Sequence, residues 1–485
     1  MNQLAAALDQ DYNETRTYNG MKVRRSSQSA LVDLFNAFGA SRPSRGYYSK
    51  QDVSPVPELF QKALNADLDI AVRIALYGRD IRGGMGERKA FRDCLRELAI
   101  HDAEIASKVA LLIPVLGRYD DLLALFGTGA ERTALRIWVK ALRNGDALAA
   151  KWAPREKSAH KAEAMKLRTA LGMNRRDYRK FLSTMTDVVE QQMCANEWDK
   201  INYEHVPSVA AARYQSAFST HDPEGYEKYR NSLEKGEAKI NAGAVYPYDI
   251  VRSFGRGDSR VANKQWEALP DYIESDKSFI PLVDVSGSMG CVASGSVTAM
   301  DIAISLGMYV AQRNKSEAFK NRLLTFETNP HWVDITGLNA SSAYEKIVRA
   351  GWSMSTNFTK AYRKILDVAV QNNVQQEDMP EYLIVFSDMQ FDSATSGWRG
   401  EQSDNFVMDN IRQEFAAAGY RAPKMVFWNL NDYGRNTHAK SDDEDVALVS
   451  GFSPSMMKTV LSDVESFTPY NVMLKAVMQS RYDWQ

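Results

Sequence analysis

The sequence predicts an N-terminal all-α domain of HEAT-like helical repeats followed by a doubly wound, Rossmann-like α/β domain. Over residues 29–272, apolar side chains recur at three- and four-residue steps, which is typical of amphipathic helices. From Ser278 onward, short apolar runs rich in β-branched and aromatic residues alternate with helical segments, which favours a buried parallel sheet. A chain of 485 residues is also too long for one ordinary hydrophobic core, so more than one domain is expected.

The helical part consists of consecutive amphipathic segments separated by short breaks that carry Gly, Asp or Pro. The segments are ALVDLFNAFG, VPELFQKALN, DLDIAVRIALYGRD, ERKAFRDCLRELAI, EIASKVALLIPVLG, YDDLLALFG and ERTALRIWVKALRN. Such a series favours a stacked repeat array, although no strict period is present and an irregular helical bundle is an equal alternative. We predict an N-terminal segment at 1–45 that packs on its neighbours, the helical domain at 46–275 and the α/β domain at 278–485.

The predicted sheet has five buried strands and one exposed edge strand. The buried runs are SFIPLVDV, RLLTFE, YLIVFSD, KMVFWNL and DVALVS, and PHWVDIT is the predicted antiparallel edge. The segments between them have helical periodicity, and SPSMMKTVLSDV and PYNVMLKAVMQSRYDWQ are predicted to close the chain as helices.

The composition is that of a folded soluble protein, with 44% hydrophobic and 25% charged residues. The net charge of −1 gives no global attraction for nucleic acid or an anionic membrane, so any such attraction must be local. Three widely spaced cysteines argue against a disulfide scaffold, and no secretory signal or membrane-spanning stretch is present. We therefore expect a cytoplasmic protein with no membrane partner, and a monomer.

A candidate metal loop follows the first predicted strand. That strand ends at Asp284, and Ser286 and Ser288 come next in a loop with Gly287 and Gly290. Ligands of open α/β sheets collect at the carboxyl ends of the strands, where this loop lies. One carboxylate and two hydroxyls are hard oxygen ligands that suit Mg²⁺, Mn²⁺ or Ca²⁺ and disfavour zinc. Taken alone, the pattern also fits an Asx-turn or a helix N-cap.

Two further oxygen donors occur at loops of the same part of the chain. Thr356 precedes the helical segment FTKAYRKIL, and Asp388 ends the buried run YLIVFSD. Donors from three separate loops at one edge of a sheet indicate a site rather than a local turn. The sequence therefore predicts a divalent cation, Mg²⁺ first with Mn²⁺ or Ca²⁺ as alternatives, held by Asp284, Ser286, Ser288, Thr356 and Asp388.

This set of donors resembles the metal-ion-dependent adhesion site of von Willebrand factor A domains, over residues 278–470. The resemblance implies that the three hydroxyls coordinate the ion directly and that the two carboxylates act directly or through water. It also implies one open position that a partner's carboxylate fills. The chain has Met-Ser-Thr at 354–356 instead of the commoner Gly-Thr, so Ser353 or Ser355 is an alternative ligand to Thr356.

The most basic stretch of the chain lies in the helical part. Between residues 151 and 180, ten Lys or Arg residues accompany only three acidic ones, with Trp152 and Tyr178 among them. Clustered cations with aromatic rings suit phosphate binding and base stacking, and a solvated helix face is the alternative. The candidate RNA-binding residues are Lys151, Arg155, Lys157, His160, Lys161, Lys166, Arg168, Arg175, Arg176, Arg179 and Lys180.

A glycine-rich segment, RDIRGGMGERK at 79–89, is a second candidate for anion binding. Glycines before a helix can present backbone N–H groups to a phosphate, which makes Arg82, Arg88 and Lys89 candidate phosphate contacts. The segment lacks the Gly-Lys-Ser/Thr ending of a nucleotide-binding loop, and no predicted strand precedes it. An inter-helix turn is therefore its first interpretation.

The order of the two parts resembles the Ro ribonucleoprotein family, in which a TROVE-type helical-repeat domain precedes a von Willebrand factor A domain. The chain resembles more closely a Ro-related family of unknown function. The segments that carry this resemblance are SALVDLF (29–35), GERKAF (86–91), EWDKINYEHVPS (197–208), DVSGSM (284–289), FSDMQFD (386–392) and FWNL (427–430). The Ro resemblance implies a helical ring bridged by the A domain, a basic surface for small non-coding or misfolded RNA, and a central hole for single-stranded RNA ends.

Three functions compete. We expect first a non-enzymatic RNA-binding scaffold of Ro type, in which the metal site closes the ring or docks a partner. The alternative is a metal-dependent protein-interaction adaptor without RNA, and a weaker alternative is a metal-dependent phosphohydrolase. The last is disfavoured because no general base accompanies the metal loop: the six histidines are scattered and form no catalytic motif.

Overall fold

The computed structural model describes residues 12–40, 54–186, 188–254, 259–294, 297–326, 329–350, 356–393, 395–396, 401–402, 406–431 and 436–485. Helices occupy most of the described chain as far as residue 267. They are α1 (Ala30–Ala40), α2 (Val56–Ala66), α3 (Leu68–Arg79), α4 (Arg88–His101), α5 (Ala103–Ala110), α6 (Ile113–Leu116), α7 (Glu131–Arg143), α8 (Ala147–Trp152), α9 (Lys161–Ala170), α10 (Arg175–Met185), α11 (Val189–Cys194), α12 (Ser208–Arg213), α13 (Gln215–His221), α14 (Pro223–Lys235), α15 (Pro247–Val251) and α16 (Arg260–Glu267). None of the described helices is long and apolar enough to cross a membrane.

A six-stranded mixed sheet forms the C-terminal part. The strands of the described chain are β1 (Glu14–Arg16), β2 (Lys22–Arg24), β3 (Phe279–Asp284), β4 (Val292–Ser294), β5 (Val297–Thr298), β6 (Arg322–Phe326), β7 (His331–Asp334), β8 (Tyr382–Ser387), β9 (Thr395–Ser396), β10 (Glu401–Gln402), β11 (Lys424–Asn429) and β12 (Val446–Ser450). The helices of this part are α17 (Ala299–Arg313), α18 (Ala340–Val348), α19 (Phe358–Gln371), α20 (Val407–Ala417), α21 (Met457–Val460) and α22 (Pro469–Val477).

The strand order of the main sheet is β12-β11-β8-β3-β6-β7. The first five strands run parallel, and β7 pairs antiparallel with β6 at the edge. This confirms the predicted helical N-terminal part, the five buried strands and the antiparallel edge strand. The chain passes from β3 to β6 on one side and later enters β8 on the other side of β3. Loops that follow β3 and β8 therefore diverge at a topological switch point, where α/β proteins bind their ligands.

Local structure departs from the predicted elements in several places. The segment YDDLLALFG is a 3₁₀ turn, Tyr119–Leu125, because the Asp121 carboxylate accepts the backbone N–H of Arg118 and ties the first turn. The predicted helix SPSMMKTVLSDV shrinks to α21, since the Lys277 ammonium donates to the carbonyl of Leu461 directly after it. The β1–β2 hairpin was not predicted.

One hydrophobic core joins the helical part to the sheet. It contains side chains from α1, α7, β11 and the C-terminal residues, of which Phe35, Trp138, Trp428 and Tyr482 are among the largest buried ones. A second, smaller core lies within the helical part and includes Val189, Ile201, Tyr203, Val206, Ala210, Ala211, Phe218, Tyr226, Leu233 and Val261. The helical part therefore packs as two bodies, and the first shares its core with the sheet.

Both ends of the helical part contact the sheet domain. At the start, α1 packs on β12 and α22, and the Gly39 N–H donates to the Ser450 hydroxyl at 3.0 Å. A Cβ atom at Gly39 would meet the Ser450 carbonyl oxygen at 2.4 Å, so only glycine permits this approach. At the end, α15 and α16 pack on α17 and α18. The sheet domain thus bridges the first and last helices of the helical part.

The C-terminal residues dock on the helical part around a buried carboxylate. Asp80 is fully buried and accepts hydrogen bonds from Nε and Nη2 of Arg481, at 2.5 and 3.1 Å, and from the Tyr482 hydroxyl at 3.2 Å. Its Oδ1 also accepts the backbone N–H of Arg82 at 3.0 Å. These bonds hold the last residues of the chain against the turn that follows α3.

Replacing Arg481 by alanine should destabilise the protein by about 1–3 kcal/mol, because it removes two charge-assisted donors from a buried carboxylate. Urea unfolding measures the loss. The control is R349A, which deletes an exposed pair with Glu345 and should change stability by less than about 1 kcal/mol. Equal effects of the two substitutions would contradict a structural role for the Asp80 bonds.

Candidate metal centre and basic surfaces

The two predicted acidic ligands lie on neighbouring strands at the switch point of the sheet. Asp284 is the last residue of β3, and Asp388 directly follows β8, which pairs with β3 through Val283 and Phe386. Both carboxylates are fully buried. The parallel pairing of β3 with β8 therefore brings residues 104 positions apart to one edge of the sheet.

Hydrogen bonds orient the Asp284 carboxylate and the serine hydroxyls of the loop. One Asp284 oxygen accepts the Ser286 N–H at 2.9 Å, and the other accepts the Ser387 hydroxyl at 2.5 Å. The hydroxyls of Ser286 and Ser288 lie 3.2 Å apart, with Ser286 buried and Ser288 exposed. The sequence analysis missed Ser387, although its position at the last residue of a buried strand, directly before Asp388, could have signalled it.

Asp388 keeps one oxygen without a hydrogen-bond donor. Its Oδ1 accepts the Gln390 N–H at 3.2 Å, whereas its buried Oδ2 has no hydrogen-bond partner among the described residues. Burial raises the pKa of Asp388, against the opposing effect of Gln390 and Ser288. Burial and the neighbouring Asp388 charge raise the pKa of Asp284. Two adjacent carboxylates in a buried site call for a compensating cation.

Thr356 is tied to the loop that carries Asp388. It is buried, and its carbonyl accepts the N–H of Asp392 at 3.1 Å and that of Phe358 at the start of α19. Asn357 caps α19 by accepting the Lys360 N–H, so the Thr356 side chain is not needed as a cap. The alternative ligands Ser353 and Ser355 lie outside the described residues.

These donors fit a hard divalent cation. They comprise two carboxylates and three hydroxyls from three loops, which matches the all-oxygen coordination of Mg²⁺ or Ca²⁺. Among the described residues, no group of three or more His, Cys, Asp or Glu side chains is placed to hold a metal ion. Any cation at this edge would therefore depend on hydroxyl ligands in addition to Asp284 and Asp388.

The N-terminal hairpin packs on the loop after Asp388. The Thr17 hydroxyl donates to the Phe391 carbonyl at 2.7 Å, and the Asn19 side-chain amide donates to the Gln390 carbonyl at 2.6 Å. The Ser393 N–H donates to the Asn19 carbonyl at 3.0 Å. Thr17 and Asn19 of the hairpin thus hold the loop at 390–393.

His438 lies behind the same loop as a buried aromatic residue. Its ring packs between Phe391 and Phe427, and Nε2 lies 3.3 Å from the carbonyl oxygen of Met389, which itself has a positive φ of 63°. Burial lowers the pKa of His438 to about 4, so the ring is neutral in the folded protein. This agrees with a hydrogen-bonded core residue rather than a catalytic base.

The buried His438 should make the protein less stable as pH falls from 6.5 towards 4. In the unfolded chain the His438 ring takes up a proton near pH 6.5, whereas in the folded chain it does so only near pH 4. Unfolding is therefore favoured by about 1.4 kcal/mol at pH 5.5 relative to pH 7.5 and above. H438Q should remove this contribution, so its stability relative to the wild type should rise by about 1.4 kcal/mol between pH 7.5 and pH 5.5, whereas that of H331Q, at an exposed strand position, should not change. Parallel profiles for wild type and H438Q would contradict this origin.

The basic stretch at 151–180 divides into engaged and exposed residues. Several members are held by neighbours: Lys166 pairs with Glu131 at 2.7 Å, and Arg168 and Arg175 both pair with Glu156. Lys151 and His160 lie within 4 Å of Glu190 and Glu163, respectively, and Arg155 donates to the Ala150 carbonyl. The members that are exposed and have no ion pair among the described residues are Lys157, Lys161, Arg176, Arg179 and Lys180.

A second basic surface, which the sequence analysis missed, lies on α7. Arg132, Arg136, Lys140 and Arg143 are all exposed, and none has an ion pair among the described residues. Their spacing of four, four and three residues places them on one helical face over about 16 Å. We call these four residues the α7 basic stripe. The segment ERTALRIWVKALRN shows the periodic positive charges, but only its apolar positions were used to predict a helix. Helix α9 of the basic stretch packs against α7, so the two surfaces adjoin.

The glycine-rich segment forms a tight turn between α3 and α4. The backbone N–H groups of Gly84, Met85 and Glu87 donate to carbonyls of Asp80, Tyr77 and Gly78. These amides are therefore not available to a phosphate. Arg82 is exposed, Lys89 pairs with Asp93 at 2.6 Å, and Arg88 begins α4. Only side chains of this segment, those of Arg82 and Arg88, therefore remain as candidate anion contacts.

Comparisons with known proteins find two families and one relative. Residues 278–480 match a domain of unknown function, DUF7788, and residues 145–278 match a second one, DUF2828. The two matches meet at residue 278, where the hydrophobic pattern of the chain changes. The chain is also 27% identical to an uncharacterised protein of Acanthamoeba polyphaga mimivirus, over 94% of this chain and 86% of that protein.

Proposed function

We propose that this protein is a non-enzymatic binding scaffold whose C-terminal part is a von Willebrand factor A-type domain that holds a divalent cation. The ligands are Asp284, Ser286, Ser288, Thr356 and Asp388. The single observation that carries the proposal is the buried Oδ2 of Asp388, which has no hydrogen-bond partner among the described residues and belongs to one of two adjacent buried carboxylates. A bound cation satisfies that oxygen and offsets both charges.

Mg²⁺ is the favoured ion, and Mn²⁺ or Ca²⁺ has the same ligand preference. When bound, it offers a Lewis-acidic position for a carboxylate from a partner. The exposed Ser288 marks the side from which a partner reaches the site, since Asp284, Ser286, Thr356 and Asp388 are buried. The buried, neutral His438 supplies no base at the metal edge, which supports docking over hydrolysis.

Mn²⁺ as a paramagnetic probe tests the docking role. We expect the protein to bind one Mn²⁺ and to enhance water-proton relaxation, because the open position holds exchangeable water. Acetate should reduce the enhancement by taking that position. D284N should abolish binding, and D367N, at an exposed site on α19, should not. If Mn²⁺ binds but acetate does not change the relaxation enhancement, the docking role is wrong and the metal ion is structural.

RNA binding by the helical part is the second candidate function. The observation that favours it is the α7 basic stripe, which adjoins the exposed cations of α9 and α10. The four cations lie along about 16 Å, which suits contacts to several successive phosphates of one strand. The contacts of the sheet domain with both α1 and α16 are compatible with the bridged ring that the Ro resemblance implies.

Salt dependence of RNA affinity tests this second function. Neutralising the α7 basic stripe (R132Q, R136Q, K140Q and R143Q) should lower the salt slope for a single-stranded oligoribonucleotide by about 0.7 for each phosphate that the stripe no longer neutralises. The matched control neutralises four cations that already pair with carboxylates: Lys62, Lys264, Arg349 and Lys458. An unchanged slope in the stripe variant, or an equal change in both, would reject the stripe as the RNA surface.

A further inference from the structure

An arginine cluster lies between α3, α4 and the 3₁₀ turn at Tyr119–Leu125. The fully buried Asp121 accepts Nε of Arg79 and Nε of Arg92, each at 2.7 Å. Asp120 pairs with Arg92 at 2.8 Å and with Arg118. The guanidinium of Arg118 also stacks on Trp152, 3.5 Å from the ring centroid. Two carboxylates and one indole thus fix three guanidinium groups.

Arg88 brings a fourth positive charge to this cluster. It lies four residues before Arg92 and so occupies the same face of α4, one turn nearer the helix start. It has no hydrogen bond or ion pair among the described residues, and its charge is repelled by Arg118 and Arg79 and attracted by Asp120 and Asp121; burial and the two arginines together lower its pKa. The cluster therefore holds four guanidinium groups against two aspartates, Asp120 and Asp121.

The surroundings of Arg88 do not relieve this excess. The next residue, Lys89, pairs with Asp93 of the same helix at 2.6 Å, whereas Arg88 has no such pair among the described residues. Glu87 is the buried N-cap residue of α4 and lies directly before Arg88, and the first turn that follows has no acidic residue. A cluster of positive charges that protein carboxylates do not neutralise attracts and binds anionic ligands.

We propose that Arg88 and Arg118, with Arg92 beside them, bind the phosphate group of a phosphomonoester. Planar guanidinium groups donate paired N–H bonds that match phosphate oxygens, and Trp152, Asp120 and Asp121 hold two of the three in place before the ligand arrives. A phosphomonoester dianion matches the excess of two positive charges in the cluster. The site lies in the helical part and is independent of the metal ligands, so it does not depend on the proposed cation.

The test compares a 5′-phosphorylated oligoribonucleotide with its 5′-hydroxyl counterpart, and uses inorganic phosphate as a small probe. All measurements contain EDTA to exclude the metal site. We expect phosphate to raise the melting temperature of the wild type. A preference of about tenfold for the 5′-phosphate identifies a nucleic-acid end as the source, and stabilisation by inorganic phosphate without that preference identifies a small phosphate ester.

Arg88 is the residue to change, because it has no ion pair among the described residues and its loss should spare the fold. R88Q should abolish both the phosphate stabilisation and any 5′-phosphate preference. The matched control is R96Q, an exposed arginine two turns further along α4. The proposal is overturned if 10 mM phosphate leaves the wild type unstabilised and the two oligonucleotides bind equally, or if R88Q and R96Q lose phosphate binding to the same extent.

Discussion

D388N should bind Mn²⁺ on the order of 100-fold more weakly than the wild type, while its metal-free form is at least as stable as the metal-free wild type. The affinity falls because a charged oxygen ligand becomes a neutral one. The stability of the metal-free protein does not fall, because the asparagine can still accept the Gln390 N–H and no longer places a second charge beside Asp284. Loss of binding without loss of stability separates a metal ligand from a structural carboxylate.

Thermal unfolding with and without Mn²⁺ measures both quantities. At a hundredfold excess over its dissociation constant, Mn²⁺ should stabilise the wild type by about 2.7 kcal/mol. D388N at the same concentration should show almost none of this gain, and the control D367N should show all of it. A metal-free D388N that melts well below the wild type would point instead to a structural hydrogen-bonding role for Asp388.

D121A should lower stability by about 3–5 kcal/mol, because it leaves two cations around a cavity without their shared carboxylate. Asp121 is fully buried, Arg79 is nearly so, and Arg92 loses one of its two aspartate partners. The Arg118 N–H that starts the 3₁₀ turn also loses its acceptor. Urea unfolding should show the loss in the transition that reports the helical part.

The control for D121A is D93A, which removes the half-buried partner of the exposed Lys89 on α4. That change should cost less than about 1 kcal/mol. If D121A unfolds at the same urea concentration as D93A, Asp121 does not hold this part of the fold together.

Much of the fold was predictable because buried strands and buried helix faces have recognisable patterns of apolar residues. β3, β8 and β12 are buried along their whole length, so they appear as unbroken apolar runs, whereas the edge strand β7 buries only Val333 among exposed residues. The 3₁₀ turn at 119–125 was not predictable from periodicity. Its geometry depends on Asp121 and on arginines brought from 29 and 42 residues away.

The candidate site was predictable to the same degree. Asp284, Ser286, Ser288 and Asp388 stand at strand ends, and strand order alone brings them to one edge. Ser387 and the N-terminal hairpin were missed because their contacts cross 103 and more than 370 residues of sequence, respectively. The α7 basic stripe was missed for a different reason: its signal is local, but it lies in charge rather than in apolar spacing.

The proposed function depends on a divalent cation that binds between Asp284, Ser286, Ser288, Thr356 and Asp388. Anomalous diffraction from a crystal of the whole chain soaked in millimolar Mn²⁺ tests it most directly. We predict a single strong anomalous peak at this edge of the sheet, within coordination distance of the Asp388 oxygen that lacks a donor, and its absence in D284N crystals. Wild-type crystals with no peak there at that concentration would contradict the metal site and the docking function built on it.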